Sequence, residues 1–260
     1  MTRTLLAILA HPDDELLAAG SLLAQRALGD RVVVLYLTRG EATGAFGSAV
    51  PAAEVARRRV SLAAEAAAIL DVEHRFLDLP DCGVRATPDH ARSVARVLAE
   101  LHPDGLVTWG DAWVKGMRHP DHQATGKIAR DSVTLARIAS VVGPTSPHRG
   151  FCPVFTIRGA HSTLPRVSVN VEPYIDGILE LAEFYHRALG FGDRDWLLAR
   201  LRRAGAAAEQ TFVEAFDAWE SREGVVPALL PADEAVSVAH PTRGSDPKKS
   251  PSGANRGGPR

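Results

Sequence analysis

Two short segments concentrate side chains that can bind a metal ion and move protons. Residues 11–15 read His-Pro-Asp-Asp-Glu and residues 119–122 read His-Pro-Asp-His. In each segment two candidate ligands stand at i and i+3, a spacing that brings side chains to one side of a turn. Imidazole and carboxylate are the ligands that zinc prefers after thiolate, and a catalytic zinc needs three protein ligands plus an open position for water. The two segments contain enough ligands for such a centre, with residues to spare.

The acids in both segments also suit the start of a helix. Asp13 or Asp14 would cap a helix and Glu15 would complement its dipole, while Asp121 would cap a later helix in the same way. This alternative accounts for the acids but leaves His11 unexplained. Two His-Pro-Asp segments, each after a predicted strand, favour metal binding.

The elements around these segments indicate a parallel sheet. Short apolar runs at residues 4–9, 31–37, 74–77 and 105–109 predict strands, and they alternate with helical patterns at 16–28, 52–70, 89–101 and 121–139. Continuous apolar strands alternating with helices predict a Rossmann-like, three-layer α/β/α fold with a mostly parallel sheet. Ligands bind beyond the carboxyl ends of such strands, so both candidate segments should meet at one edge.

The remaining chain predicts an α-rich C-terminal portion and a tail. Beyond the loop at 143–150 we expect strands at 154–157 and 166–171, then helices at 174–189 and 195–219. We expect one domain over residues 1–239, with an α/β core at 1–140 and the C-terminal portion at 141–239. Residues 240–260 lack the apolar side chains that offset chain entropy, so we expect a disordered tail whose removal leaves folding and activity unchanged.

Composition favours a small-molecule partner. Lysine and arginine number 30 against 31 aspartate and glutamate residues, so no strong field attracts nucleic acid or an anionic membrane. No apolar run approaches the ~20 residues of a membrane helix, and the first apolar run is expected to be a strand, not a signal peptide. These features predict a cytoplasmic protein and leave both a monomer and a homo-oligomer open. Cys82 and Cys152 are expected to be buried free thiols.

At the two segments the sequence resembles the LmbE-like (PIG-L) zinc deacetylases, the family of N-acetylglucosaminyl-phosphatidylinositol deacetylase. Residues 10–15 look like the first signature of that family and residues 119–122 like the second. Thr-Arg-Gly-Glu at 38–41 and Leu-Pro-Asp at 79–81 are similar to its intermediate landmarks. The resemblance covers residues 1 to about 140 well and the later part loosely.

The resemblance implies one Zn²⁺ per chain, held by His11, Asp14 and His122, with another divalent metal such as Fe²⁺ as the alternative. It implies further that Asp13 is the general base and that His119 assists at the carbonyl oxygen. A protonated His119 would stabilise the oxyanion of the tetrahedral intermediate. Asp121 would hold the His119 ring and raise its pKa through charge proximity.

The resemblance also implies contacts to an amino-sugar substrate. One of the adjacent arginines Arg58 and Arg59 is expected to contact it, and the choice between them stays open. Asp81 is expected to contact sugar hydroxyls. For Glu41 we leave open whether it supports the loop or contacts the substrate.

The predicted function is therefore zinc-dependent removal of acetyl from an N-acetylglucosamine conjugate. One alternative is an amidase that cleaves a larger glucosamine-linked thiol conjugate with the same metal apparatus. Another is a non-catalytic metal or sugar-binding module, which the spare Asp13 beside Asp14 disfavours. A nucleotide-binding dehydrogenase is excluded, because the first strand lacks the Gly-x-Gly-x-x-Gly that lets backbone approach a pyrophosphate.

Overall fold

The fold is built on one eight-stranded sheet. The computed structural model describes residues 2–110, 119–159, 161–220 and 223–230. The strands are β1 (Thr4–Leu9), β2 (Arg31–Thr38), β3 (Glu73–Leu79), β4 (Gly105–Trp109), β5 (Val154–Ile157), β6 (Arg166–Asn170), β7 (Val213–Ala218) and β8 (Gly224–Val226). Their order is β3-β2-β1-β4-β5-β7-β6-β8, and the first five run parallel. Only β7 runs antiparallel to its neighbours β5 and β6 among these strands.

Helices cover both faces of the sheet. They are α1 (Ala19–Ala27), α2 (Ala52–Leu70), α3 (Pro88–Leu101), α4 (Pro120–Leu135), α5 (Ala139–Val142), α6 (Ile175–Leu189) and α7 (Arg194–Ala206), with 3₁₀ turns at Asp14–Leu17 and Glu172–Tyr174. One buried apolar cluster joins the sheet to α1, α2, α6 and α7, and a second joins it to α3 and α4. The predicted α/β fold with a mostly parallel sheet is confirmed.

The prediction of one helix over 195–219 was wrong in its second half. Helix α7 ends at Ala206, and Gly205 lets the chain turn back, because a Cβ there would lie 2.6 Å from the carbonyl oxygens of Gln210 and Thr211. Strand β7 follows, between β5 and β6. Pairing with two strands far away in sequence therefore overrides the local helical pattern. The C-terminal portion accordingly adds strands β5–β8 to the sheet as well as helices α6 and α7.

The predicted helix at 16–28 differs in the structure, and the predicted tail is not described by it. The predicted helix at 16–28 is divided into the first 3₁₀ turn and α1, with Ala18 in a non-helical conformation between them. The expected tail at 240–260 lies outside the described residues. Within the described ranges, the helices are too short or too polar to cross a membrane.

Helix α4 meets the end of β4 at unusually close range. A Cβ on Gly126 would lie 2.2 Å from the carbonyl oxygen of Trp109, so no side chain fits there. The residue type therefore lets the start of α4 lie close against the carboxyl ends of β1 and β4, which are neighbours in the sheet. Both candidate segments come to the same edge.

Candidate metal centre

The chain turns sharply after β1 and aims two aspartates in different directions. Asp13 has φ 107°, in the left-handed region, and Asp14 starts the 3₁₀ turn. Oδ2 of Asp14 accepts hydrogen bonds from the backbone N–H groups of Ala10 and His11, both at 3.0 Å, and from Nε1 of Trp109 at 2.9 Å. These three donors fix the buried carboxylate, so that its other oxygen, Oδ1, lies against His122.

The three residues expected to bind metal converge. Nε2 of His122 lies 3.1 Å from Oδ1 of Asp14 and 3.2 Å from Nδ1 of His11. Nδ1 of His11 lies 3.8 Å from Oδ2 of Asp14. Zinc bonds of about 2.0–2.2 Å at tetrahedral angles separate ligand atoms by roughly 3.3–3.6 Å. The donor types suit a divalent ion of zinc size, and the distances from His122 to Asp14 and His11 lie near this spacing.

His11 presents its other ring nitrogen to two carboxylates. Its Nε2 lies 3.1 Å from Oδ1 of Asp81 and 3.4 Å from Oδ2 of Asp121. Burial opposes protonation, but hydrogen bonds to Asp121, Asp14 and Asp81 raise the pKa of His11 to about 12. The carboxylates thus favour positive charge at this point. In the neutral ring that binds a metal ion, a proton on Nε2 leaves Nδ1 free as the donor.

His119 extends the donor set. One of its ring nitrogens lies within 4.8 Å of those of His11 and His122, and His11, Asp81, His119 and Asp121 form a second group within the same span. His119 is the N-cap of α4, where its Nδ1 accepts a hydrogen bond from the backbone N–H of Asp121 at 3.3 Å. An accepting Nδ1 places the proton of a neutral ring on Nε2.

Asp121 is fully buried and does not hold the His119 ring through its carboxylate. That carboxylate accepts hydrogen bonds from the backbone N–H groups of Cys82 at 2.8 Å and Val84 at 3.2 Å. Burial and the charge on His11 lower the pKa of His119, although the Asp121 charge acts in the expected, opposite direction. In its neutral form the His119 ring accepts at Nδ1 and donates from Nε2.

Asp13 is paired with a buried arginine. Nη2 of Arg59 lies 2.5 Å from Oδ2 of Asp13 and also donates to the carbonyl oxygen of Pro12. Gly40 leaves room for this guanidinium, because a Cβ there would lie 2.7 Å from Nε of Arg59. Burial raises the pKa of the Asp13 carboxyl to about 7, and Arg59 opposes the rise. A base with a pKa near the working pH is well matched to proton transfer.

The other residues expected at the substrate have distinct positions. Asp81 lines the cavity and accepts hydrogen bonds from the backbone N–H groups of Ala42 at 2.8 Å and Cys82 at 2.7 Å. Glu41 lies behind it and accepts from the backbone N–H of Asp81 at 2.9 Å. Arg58 points outward, where its Nε donates to Glu54 at 2.8 Å. Neither Glu41 nor Arg58 is among the lining residues, whereas Arg59 is.

Trp109 and Cys82 contact the site in ways that the sequence did not indicate. The Trp109 ring stacks on His122 with centroids 3.9 Å apart and planes 6° apart, so it orients that imidazole as well as Asp14. The expectation that Cys82 is buried was wrong, because its turn after β3 exposes it, with Sγ 3.7 Å from Nε2 of His119. Cys152 is buried as expected.

These residues surround a cavity of about 380 Å³. Among the described residues, its lining comes from the segments that follow β1, β2 and β3, from the end of β4, from α2, from the start of α4, and from the α6–α7 turn with the first turn of α7. The described residues that line it are His11, Asp13, Asp14, Leu16, Leu17, Gly40, Ala42, Thr43, Arg59, Asp81, Cys82, Trp109, His119, His122, Phe191 and Trp196.

Comparisons with known proteins identify the family of this site. Residues 6–133 match the family described as PIG-L, GlcNAc-PI de-N-acetylase. A 1D-myo-inositol 2-acetamido-2-deoxy-alpha-D-glucopyranoside deacetylase of Thermobispora bispora is 30% identical over 218 residues, which cover 66% of this chain and 69% of that protein. Deacetylase 2 of the same description from Catenulispora acidiphila is 32% identical over 160 residues, 52% of each chain. The match thus spans about half the length of this second relative.

A solved structure with a similar fold is N,N'-diacetylchitobiose deacetylase from Pyrococcus horikoshii. It matches with a TM-score of 0.73 at 21% identity and covers 83% of each chain. This likeness concerns the fold.

Proposed function

Because this chain belongs to the PIG-L family, we propose that it removes the acetyl group from the amino nitrogen of an N-acetylglucosamine conjugate. The observation that carries the proposal is the convergence of His11, Asp14 and His122 beside the Asp13–Arg59 pair in one cavity. The relatives' names add support, since they describe deacetylases of an acetamido-glucopyranoside. An acyl amide of an amino sugar is the substrate class that fits both.

We assign His11, Asp14 and His122 as ligands of one divalent ion. When bound, Zn²⁺ or a similar ion such as Fe²⁺ would supply Lewis-acid chemistry, lowering the pKa of water and polarising the acetyl carbonyl. Trp109 orients two of the ligands, through its bond to Asp14 and its stacking on His122. Asp81 and Asp121 orient the third through Nε2 of His11.

Asp13 is the proposed general base. It takes the proton of the attacking water and later delivers one to the departing amine, which is otherwise a poor leaving group. Arg59 holds the carboxylate in place, and the backbone N–H of Asp13 is fixed by Glu15 at 2.9 Å. A positioned base of this kind is typically worth ~10²–10⁴-fold in rate.

His119 is the proposed donor to the developing oxyanion. The backbone N–H of Asp121 occupies Nδ1 of this imidazole, so a neutral ring donates from Nε2. Its position in the cavity wall suits a hydrogen bond to the former carbonyl oxygen as negative charge accumulates there. Asp121 acts as a positioning residue for this arrangement through its backbone.

Substitution of the two adjacent aspartates tests the proposal, because one variant should lose turnover and the other should lose metal affinity. Asp13→Asn should retain metal and lose about 10²–10⁴-fold in turnover, since the amide is nearly isosteric but is not a base. Asp14→Asn should lose metal affinity, because a charged ligand is removed. The measurements are elemental analysis and steady-state hydrolysis of N-acetylglucosamine conjugates, with the exposed Asp89→Asn as control.

Each outcome has a defined meaning. Loss of metal from Asp13→Asn, or its full activity, would contradict the assignment of the base. If the wild-type protein binds metal but releases amine only from larger acyl groups on glucosamine, it is an amidase with the same apparatus. If it binds sugar without hydrolysing any amide in the panel, it is a binding module.

A further inference from the structure

The C-terminal portion adds an aromatic part to the cavity. Of the described residues that line it, Phe191 and Trp196 come from this portion, and Leu16 and Leu17 lie in the 3₁₀ turn after β1. We call Phe191 and Trp196, together with the adjoining Leu16 and Leu17, the aromatic wall. Phe191 is 42% exposed and Trp196 52% exposed, although large apolar side chains are usually covered. Both therefore offer apolar area that a bound molecule can cover.

The backbone fixes this wall in advance. Gly190 and Gly192 flank Phe191 with φ of 77° and 84°, conformations that side chains other than glycine rarely adopt. Asp193 then caps α7 by accepting hydrogen bonds from the backbone N–H groups of Asp195 at 2.6 Å and Trp196 at 3.4 Å. The two aromatic residues thus lie on a tight turn and on the first turn of a capped helix. A preorganised surface loses little entropy when it binds a ligand.

Phe191 is also held from behind. Its ring lies nearly parallel to that of Tyr185, with centroids 6.1 Å apart and planes 17° apart. Tyr185 is fully buried, and its hydroxyl donates to Glu15 in the turn that carries the metal ligands. The position of the Phe191 ring is therefore tied to the reacting end of the cavity.

We propose that the aromatic wall binds the group attached to the amino sugar and selects conjugates in which that group is a ring with an apolar face. This inference rests on the proposed function. The metal ion is assigned to His11, Asp14 and His122, and the reacting acetamide to Asp13 and His119, so the wall is left for the remainder of the substrate. A ring presents a larger apolar face to these side chains than a methyl group does.

The size of the cavity supports a compact ring. Its volume of about 380 Å³ lies near the lower end of the ~300–1,000 Å³ typical of ligand pockets. An aromatic ring and the C–H face of a second sugar or cyclitol both present the required surface. Both kinds of ring would bind through an apolar face, and the experiment below distinguishes the aromatic ring from the sugar or cyclitol.

The test measures binding, so that it does not depend on hydrolysis. The probes are the deacetylated products: methyl, phenyl and myo-inositol glycosides of glucosamine, titrated calorimetrically into metal-loaded protein. Wild type should bind at least one ring glycoside more tightly than the methyl glycoside. Phe191→Ala and Trp196→Ala should each weaken ring binding by about 3- to 10-fold, the usual contribution of one aromatic contact, with little effect on the methyl glycoside. Tight phenyl binding alone identifies an aromatic source, and equal inositol binding identifies a C–H face.

Two further variants keep the interpretation specific. Phe151→Ala removes an aromatic side chain that is 54% exposed but does not line the cavity, and it should change nothing. Trp196→Phe should retain the preference for rings, because it keeps an aromatic face. Equal losses for methyl and ring glycosides, or no loss in either alanine variant, would overturn the proposal. Ring preference that depends on Trp196, in a protein that hydrolyses no acetamide, would instead support the wall and contradict the deacetylase.

Discussion

Replacement of Arg59 should move the pH dependence of catalysis in a defined direction. Its guanidinium is almost fully buried and lies 2.5 Å from the Asp13 carboxylate. With Arg59 present, the pKa of Asp13 is about 7, because burial raises it and the arginine charge offsets part of the rise. An opposite charge at this range typically lowers a carboxyl pKa by about 1–3 units. Arg59→Met should therefore raise the pKa of Asp13 to roughly 8–10.

A higher pKa of Asp13 should lower activity at neutral pH. Asp13 must be ionised to act as base, so activity is lost as pH falls through its pKa. At pH 7 the ionised fraction in Arg59→Met should fall by roughly 5- to 500-fold, and kcat/KM with it, with recovery in alkaline buffer. The assay is the pH profile of kcat/KM for deacetylation of an N-acetylglucosamine conjugate, with melting temperature recorded in parallel.

Arg57→Met is the matched control, since Arg57 lies on the same helix, is 75% exposed and pairs with Glu54. Its profile should coincide with that of wild type. An Arg59→Met protein that is folded and metal-loaded, but whose acid limb lies at the wild-type pH, would refute the link between Arg59 and the base.

Two other predictions concern the frame of the site. Gly126→Ala should lower the free energy of unfolding by about 1–3 kcal/mol or more in a urea titration, because its Cβ would lie 2.2 Å from the carbonyl oxygen of Trp109; Gly44→Ala, with open space around it, should be nearly neutral. Alkylation with iodoacetamide should modify the exposed Cys82 and not the buried Cys152 in the folded protein, and should block activity. The rate should rise with pH because the thiolate is the reacting form, and it should rise at higher pH than for a free thiol because partial desolvation and the charges of Asp81 and Asp121 raise the pKa of Cys82. Undiminished activity after complete modification of Cys82 would show that this residue does not border the reacting atoms.

The N-terminal part of the site was predictable because its information is local. His11, Asp14 and His122 follow or precede elements whose apolar patterns are continuous, and parallel strands bring their carboxyl ends to one edge. The choice between Arg58 and Arg59 also had a signal in the sequence. Residues one position apart on a helix differ in direction by about 100°. Arg59 shares the buried face of α2 with Val55 and Ala63, and Arg58 does not.

The C-terminal part could not be predicted in the same way. Strand β7 reads locally as a continuation of a helix, and its pairing partners are distant in sequence. Phe191 and Trp196 belong to no motif, and they reach the cavity because α6 and α7 pack in the same buried apolar cluster as α1 and α2. Contacts that form only in the completed tertiary structure produce no regular pattern of apolar residues in the sequence.

Glu15 shows how these two parts act on one another. Sequence reasoning assigned it to the start of a helix, but its fully buried carboxylate accepts hydrogen bonds from the backbone N–H of Asp13 at 2.9 Å and from the Tyr185 hydroxyl. Tyr185 in turn supports Phe191. A change at Tyr185 therefore acts on the proposed base and on the aromatic wall together, whereas a change at Trp196 acts on the wall alone. Substitution of Trp196 should therefore alter the choice of conjugate without altering the chemical step, whereas substitution of Tyr185 should alter both.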